Sequence, residues 1–385
     1  MIPLSVPNIS GNEWKYVKEC LDTEWVSSAG KYVDLFEKNF SDYTKSKYTI
    51  ACINGTSALQ VSLRLAGVKP GDEVIVPTLT FIAPVNAVAY NNASPIFMDV
   101  DKYYNLDVQK TIEFINNETI YKAGFSYNKT SNKKITAIIP VHMWGNAVWL
   151  DDLVAICKDR NIAVIEDASE SLGSYYKEGL YKDRYTGSIG DLGCISFNGN
   201  KIMTTGGGGM IMTNDEEFYE KARYLITQAK DDPIRYVHNE IGYNFRLTNV
   251  QAALGVAQLE KLPQFLNRKD EIKSFYNDAL KKIKGLFLFE APKFSKNNNW
   301  MILLQINQKI YGENREELMK RLSLNKIQTR PVWSLIHLQK PYRNCQTYKI
   351  EKANTLVDIS LCIPSSTNLT LNNLNKIIDE LGKNR

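Results

Sequence analysis

The chain is poor in several things that would each announce a function. It has three histidines in 385 residues. His142, His238 and His337 stand far apart, with no carboxylates at ligand spacing, so no metal site is expected. The six cysteines (Cys20, Cys52, Cys157, Cys194, Cys345 and Cys362) form no CxxC pair, and several lie within apolar runs. That pattern reads as reduced thiols of a cytoplasmic protein rather than a disulfide framework or a zinc site. No run of 18 apolar residues occurs, so no membrane-spanning helix and no membrane partner are expected. The opening MIPLSVPNIS lacks the charged-then-apolar pattern of a signal peptide. Net charge is 47 − 42 = +5, with no basic block. Nucleic-acid binding is therefore not expected, although a mildly positive surface favours an anionic substrate. The glycine-rich segments match neither GxGxxG after the first strand nor GxxxxGK[ST], which argues against a bare nucleotide-binding domain.

What the chain does have is length for one large domain and a smaller one, with an ordinary 44% apolar and 23% charged composition. Ser10 to Glu13 reads as a helix start, with Ser10 as N-cap and Glu13 three residues on. Short apolar runs at 48–52, 74–77, 95–100, 136–142, 162–168 and 194–197 read as strands, alternating with segments of helical spacing. This alternation predicts an α/β domain built on a mostly parallel sheet covered on both faces. Asn116 to Lys134, rich in Asn, Lys, Thr and Ser, reads as an exposed insertion. Val250 to Leu259 reads as a helix, Leu262-Pro263 as a break, and a further long helix runs to about Lys284. Strands at 300–306 and 327–333 and a terminal helix at 372–381 complete a smaller α+β unit. The division is placed at residues 1–264 and 265–385.

In open sheets of this kind ligands sit beyond the carboxyl ends of the strands. Gly55-Thr56-Ser57, Phe81, His142 and Asp167 all fall at such ends. So does the stretch DLGCISFNGNKIMTTGGGGM, residues 191–210, which holds one lysine, Lys201. A lysine held between buried strands is expected to have a lowered pKa, and a neutral amine can bond covalently to a carbonyl carbon. The turn at 55–57 opening a helix offers free N–H groups and a helix dipole to a phosphate. It is equally read as a helix cap by Thr56 or Ser57. Asp167 alone could be a strand-end turn residue, and Phe81 core filler. Taken together, lysine, aspartate and phosphate-type turn match the needs of pyridoxal 5'-phosphate: a covalent anchor, a partner for the protonated ring nitrogen, and an anion site. An aromatic such as Phe81 can stack on the ring.

The segments 54–59, 77–83, 140–142, Glu166 to Ser174, Ser196 to Lys201, Gly206 to Gly209 and Gly242 to Ala252 occur in one order that resembles the DegT/StrS family of nucleotide-sugar aminotransferases. The resemblance covers most of the chain to about residue 260. It implies PLP-dependent transferase fold type I, aspartate aminotransferase-like. The large domain then has a mostly parallel seven-stranded sheet, followed by a small C-terminal α+β domain. It implies Lys201 as the anchoring lysine and Asp167 on the pyridine nitrogen. Gly55, Thr56, Ser57 and Ser196 bind the phosphate, and Phe81 stacks on the ring. Asn244, with Arg246 nearby, reaches the phosphate from a second subunit of a homodimer with shared sites. Glu170 stands among the cofactor-binding positions where many members carry Gln or His facing the ring hydroxyl, so a carboxylate there is a departure. Lys201, rather than the histidine of deoxygenating members, implies transamination.

The segments Pro3 to Val17 and Glu24 to Gly30 are similar to the subgroup of legionaminic acid and bacillosamine-type pathways. That likeness implies transfer from L-glutamate to carbon 4 of a UDP-2-acetamido-2,6-dideoxy-4-keto-hexose, through the pyridoxamine phosphate form, for surface glycan synthesis. Trp25, Ser27, Ser28, Lys31, His142, Arg246, Arg330 and Trp333 are the substrate candidates. Lys31 and Arg330 suit a diphosphate; capping serines, a surface lysine and core tryptophans are the plain alternatives. Two rival functions share the fold: a carbon-3 aminotransferase on a dTDP-keto-6-deoxy sugar, and a regulator that has lost the chemistry.

Overall fold

The computed structural model describes residues 1–383. Seven strands form the body of a ten-stranded sheet, three more than the seven expected: β1 (Tyr48–Cys52), β2 (Glu73–Pro77), β3 (Ser94–Met98), β4 (Lys134–Ile138), β5 (Ala163–Asp167), β6 (Leu192–Ser196) and β7 (Gly209–Thr213). Their spatial order is β1-β7-β6-β5-β4-β2-β3, with the two-residue strand Thr347–Tyr348 beside β3. All neighbours pair in parallel except β7, which runs against both β6 and β1. Strands covered on both faces read as near-continuous apolar runs, as Val74, Ile75 and Val76 show, each fully buried. The carboxyl ends of β1, β2, β4, β5 and β6 therefore all open on the same side, joined there by the start of the reversed β7.

The register at that edge is tight. Gly209 sits between Cys52 of β1 and Ser196 of β6. A Cβ on Gly209 would lie 2.5 Å from the Asn54 carbonyl carbon. Gly208 adopts φ +125°, which only glycine takes readily. The glycine run thus lets the backbone close against Asn54-Gly55, the turn that opens the helix Gly55–Leu65, rather than against Lys201 itself.

A second, antiparallel sheet has the order β8-β9-β11-β10, from β8 (Leu286–Leu288), β9 (Ile302–Ile306), β10 (Arg330–Pro331) and β11 (Ser360–Ile363). It carries its own core with Ile272, Tyr276, Leu304, Leu322 and Ile377. The predicted break at Pro263 does not occur. One helix runs from Asn249–Leu280, opened by a Thr248 and Gln251 capping box. Proline there removes a single backbone donor, while Leu262, Phe265, Ile272 and Tyr276 are buried along both halves and hold them in line. The division suggested at 264/265 thus falls inside this helix, which both cores share.

Three further expectations change. The first helix begins at Glu13 after Asn12 with no side-chain cap, and Glu13 accepts from Gly11 N–H at 2.7 Å. The polar segment 116–134 is not simply exposed: Thr119–Lys122 and Phe125–Asn128 form a hairpin that pairs with β4, burying Ser126 and Asn128. Of the strand expected at 327–333, only Arg330–Pro331 is extended into the sheet.

Lys269, 2% exposed on the long helix, donates to the Trp300 carbonyl at 2.7 Å, to the Ser365 hydroxyl at 3.3 Å and to the Ser365 carbonyl. Burial pushes its amine from the ordinary 10.5 down to about 7. The unfolded chain binds more protons than the folded chain between those values. Stability is therefore expected to rise with pH across that window, at about 1.4 kcal/mol per pH unit from this group. Urea unfolding of wild type and Lys269→Met at pH 7, 8 and 9 checks it: the difference between the two should narrow or reverse as pH falls, and a constant difference would contradict it.

Candidate active site

At the carboxyl ends of the long sheet lies a cavity of about 400 Å³. Each wall follows from a strand end. β1 leads into the helix Gly55–Leu65, where the Asn54 side chain, not Thr56 or Ser57, caps the helix by accepting from Ser57 N–H at 2.8 Å. Gly55 and Thr56 line the cavity at this N-terminus. A Cβ on Gly55 would stand 2.8 Å from that of Ser196, so only glycine leaves this cradle open. β5 delivers Asp167, and β6 delivers Ser196 and then the turn to Lys201, whose N–H donates to the Asn198 carbonyl at 3.0 Å.

Lys201 Nζ lies 3.8 Å from Glu170 Oε1, and its side chain is only 14% exposed. It also sits 4.1 Å from the centre of the Trp300 ring. Burial lowers the Lys201 pKa, against the pull of Glu170 and Asp167. Asp167 is raised by burial, although its Oδ1 accepts from Ser169 N–H at 3.1 Å. Glu170 is raised by burial to about 7. An amine with weakened basicity, a buried carboxylate and an open helix N-terminus thus share one enclosed space. The residues present fit pyridoxal phosphate: Lys201 can bond its aldehyde carbon, Asp167 can face its ring nitrogen, and the Gly55 cradle can take its phosphate.

The structure brings Gly55, Thr56, Phe81, Asp167, Glu170, Ser196, Lys201, Arg330 and Trp333 to this one cavity. Ser57 is buried behind it, its N–H taken by Asn54. His142 is not on the wall. Its Nδ1 accepts from Val148 N–H at 3.1 Å, so Nε2 is the nitrogen that donates to Glu166 at 2.8 Å. Glu166 also accepts from the N–H groups of Gly187, Ile189 and Gly190. Burial raises that carboxyl, but the bonds from His142 and the backbone hold it below the usual range. Together with His142 N–H on the Asp167 carbonyl, at 3.0 Å, this network pins the end of β5.

Trp25, Ser27, Ser28, Lys31, Asn244 and Arg246 also lie away from the cavity. Trp25 is 58% exposed, and the Ser27 carbonyl accepts from Asn249 N–H at 2.6 Å. Lys31 pairs with Glu19. Ser28 and Arg246 line a separate pocket of about 240 Å³ with Glu37 and Arg223. Asn244 is exposed.

Residues that carried no motif complete the wall. Trp144 stacks on Trp333 at 5.3 Å, and Phe81 meets Trp333 edge-on at 5.7 Å. Trp300 reaches the site because its indole N–H donates to the Asn200 carbonyl at 2.6 Å. Sequence reading passed over it because Asn297, Asn298 and Asn299 before it look like a polar loop; all three are buried.

Known proteins resemble this chain over nearly its whole length. A sequence model described as the DegT/DnrJ/EryC1/StrS aminotransferase family matches residues 7–382. A GDP-perosamine synthase of Caulobacter vibrioides is 36% identical over 382 residues, covering 99% of this chain and 97% of the relative. Another, from Escherichia coli O157:H7, is 38% identical over 344 residues, covering 89% and 87%. The crystal structure of a DegT DnrJ EryC1 StrS aminotransferase from Brucella abortus superposes with a TM-score of 0.86 at 28% identity, covering 96% of this chain and 94% of its own.

If Lys201 is the anchor, Lys201→Ala should fold, bind pyridoxal phosphate loosely, and lose the borohydride-fixed label found on the wild-type chain. Peptide mapping by mass spectrometry reads the outcome; undiminished labelling in the variant would move the anchor to another lysine.

Proposed function

Since the chain belongs to the DegT/DnrJ/EryC1/StrS aminotransferase family and is a pyridoxal-phosphate-dependent nucleotide-sugar aminotransferase, we propose that it transfers the amino group of L-glutamate to carbon 4 of a nucleotide-linked 4-keto-6-deoxyhexose. The observation that carries this reading is the meeting of Lys201, Asp167 and the Gly55 cradle in one cavity. When bound, the cofactor supplies a conjugated ring that draws electrons from the carbon being deprotonated. The chain's own residues then have defined tasks. Lys201 holds the cofactor and, once free, takes a proton at Nζ and gives it back at the neighbouring carbon. Asp167, as a carboxylate, would accept from the protonated ring nitrogen and keep that proton on the ring. Gly55, Thr56 and Ser196 hold the phosphate, and Phe81 covers a ring face. Arg330, at the cavity mouth, pairs with a substrate anion, and Trp333 with Trp144 offers an aromatic wall to a base or sugar.

For the nucleotide, the names of the two relatives support a GDP-linked sugar and give it first place. The UDP-2-acetamido alternative rests on the likeness of segments 3–17 and 24–30, and Trp25, Ser27 and Ser28 in the second of these, with Lys31 just after it, stand outside the cavity of their own chain. A homodimer is part of the proposal. Asn244 is exposed and away from the cavity of its own chain, so it would reach a phosphate only in a second copy. Trp14, 77% exposed, and Trp25 offer apolar surface for such a contact. Six free cysteines suit action in the reducing cytoplasm. No helix among the described residues is long and apolar enough to cross a membrane.

Incubation with glutamate and, separately, GDP-linked 4-keto-6-deoxymannose and UDP-linked 2-acetamido-4-keto-6-deoxyhexose tests the substrate. Mass spectrometry is expected to find the amino sugar with the GDP compound at the higher kcat/KM. Preference for the UDP compound would reverse the choice of nucleotide, and no amino sugar from either would refute the carbon-4 reading.

A further inference from the structure

Glu170 holds two distinct contacts at once. Its Oε2 accepts from Trp144 N–H at 2.9 Å, while Oε1 stands 3.8 Å from Lys201 Nζ. Its own carbonyl is fixed by the Asn298 side-chain amide at 2.9 Å. The first contact is structural. Trp144 has φ +48° and ψ +32°, a left-handed conformation rare for a bulky side chain, and the carboxylate bond helps to hold it. A glutamine would serve equally for that, since its amide oxygen accepts from an N–H. The second contact is different in kind. Among the described residues Glu170 supplies the one carboxylate within 4 Å of Lys201 Nζ, and a glutamine cannot take a proton from an ammonium.

We propose that Glu170 is the proton store of Lys201, accepting the proton that the free amine must shed before it acts and returning it afterwards. The step balances within the pair: an N–H bond breaks at Nζ as an O–H bond forms at Oε1, and the reverse restores both. The inference rests on the reading that Lys201 anchors the cofactor, and it assigns Glu170 a role beyond facing that cofactor.

The surroundings favour such an exchange. Lys201 is faced by Glu170, by Asp167 and by the uncharged Trp300 ring. Glu170 is faced in turn by Lys201, Asp167 and the buried Cys362 thiol. Burial disfavours the charged forms of both partners, raising the carboxyl and lowering the amine, so their proton affinities are drawn together. Asp167 is less suited to the task, because its Oδ1 is held by Ser169 and it is the group placed to pair with the ring nitrogen.

The test uses the holoenzyme in its pyridoxamine phosphate form, which leaves the Lys201 amine free. Acetic anhydride labelling of Lys201 is followed by peptide mass spectrometry across a pH series in wild type, Glu170→Gln, Glu170→His and Glu170→Asp. Loss of the carboxylate in Gln and His should shift the labelling midpoint to lower pH, while Asp stays near wild type. The glutamate half-reaction, started from the pyridoxal phosphate form and followed in single turnover, should slow in Gln on the order of a hundredfold, the low end for a positioned proton-transfer group, and recover partly in Asp. An unmoved labelling midpoint in Gln or His, or an undiminished half-reaction rate in Gln, would overturn the proposal, and the His variant, whose imidazole can itself take a proton, gives the labelling comparison alone if Gln does not fold. Failure of the underlying reading shows separately: in the pyridoxal phosphate form of the wild type, Lys201 must be protected from the reagent, and labelling there would sink the anchor whatever Glu170 does.

Discussion

Enclosing the Lys201 amine beside Asp167 and Glu170 sets the terms for everything around it. Ionised groups out of water are costly unless paired, and here two acids share one base. The chain meets this by giving each carboxylate a backbone donor, Ser169 N–H for Asp167 and Trp144 N–H for Glu170. Burial nonetheless shifts all three groups toward neutrality, against the attraction between the amine and the two acids. That is the state in which a lysine is a useful nucleophile and base. The same enclosure leaves room for a ligand, because Gly55 and Gly209 keep side-chain bulk out of the seam between β1, β7 and β6.

The second body of the chain closes the site through side-chain amides rather than apolar packing alone. Asn297 donates to the Trp144 carbonyl and to Asn146. Asn298 donates to the carbonyls of Glu170 and Leu172, and Asn299 to Asp270 on the long helix. Buried amides satisfied in this way fix one register between the two bodies. Their combined effect is to hold Trp300 beside Lys201, with Lys269 gripping the Trp300 carbonyl from behind.

Much of the cavity's lining was legible in the sequence because it follows strands directly. Lys201, Asp167, Gly55 and Phe81 each come within a few residues of a strand's carboxyl end, and a parallel sheet gathers such ends at one edge. His142 satisfies the same rule and still misses the cavity. Glu166 and Asp167 are neighbours on an extended strand and so point to opposite faces; His142 joins the Glu166 side, and Asp167 lines the cavity. Trp144 could not be foreseen, since its place depends on a left-handed backbone that no local signal marks. Pro263 misled for the opposite reason: a local breaker was overridden by buried contacts on both sides. Asn244 was expected to act from a second subunit, a contact that one chain alone does not make, whereas Trp25 and Ser28, read as substrate contacts, stand outside the cavity.

The central claim is spatial, that one cavity anchors the cofactor at Lys201 and receives its phosphate at the start of the helix Gly55–Leu65. A crystal structure of the protein grown with pyridoxal phosphate measures this directly. The account predicts density continuous from Lys201 Nζ to the ring, with the ring nitrogen beside Asp167 and the phosphate against Gly55 and Thr56. Density bonded to another lysine, or a phosphate seated elsewhere, would contradict it.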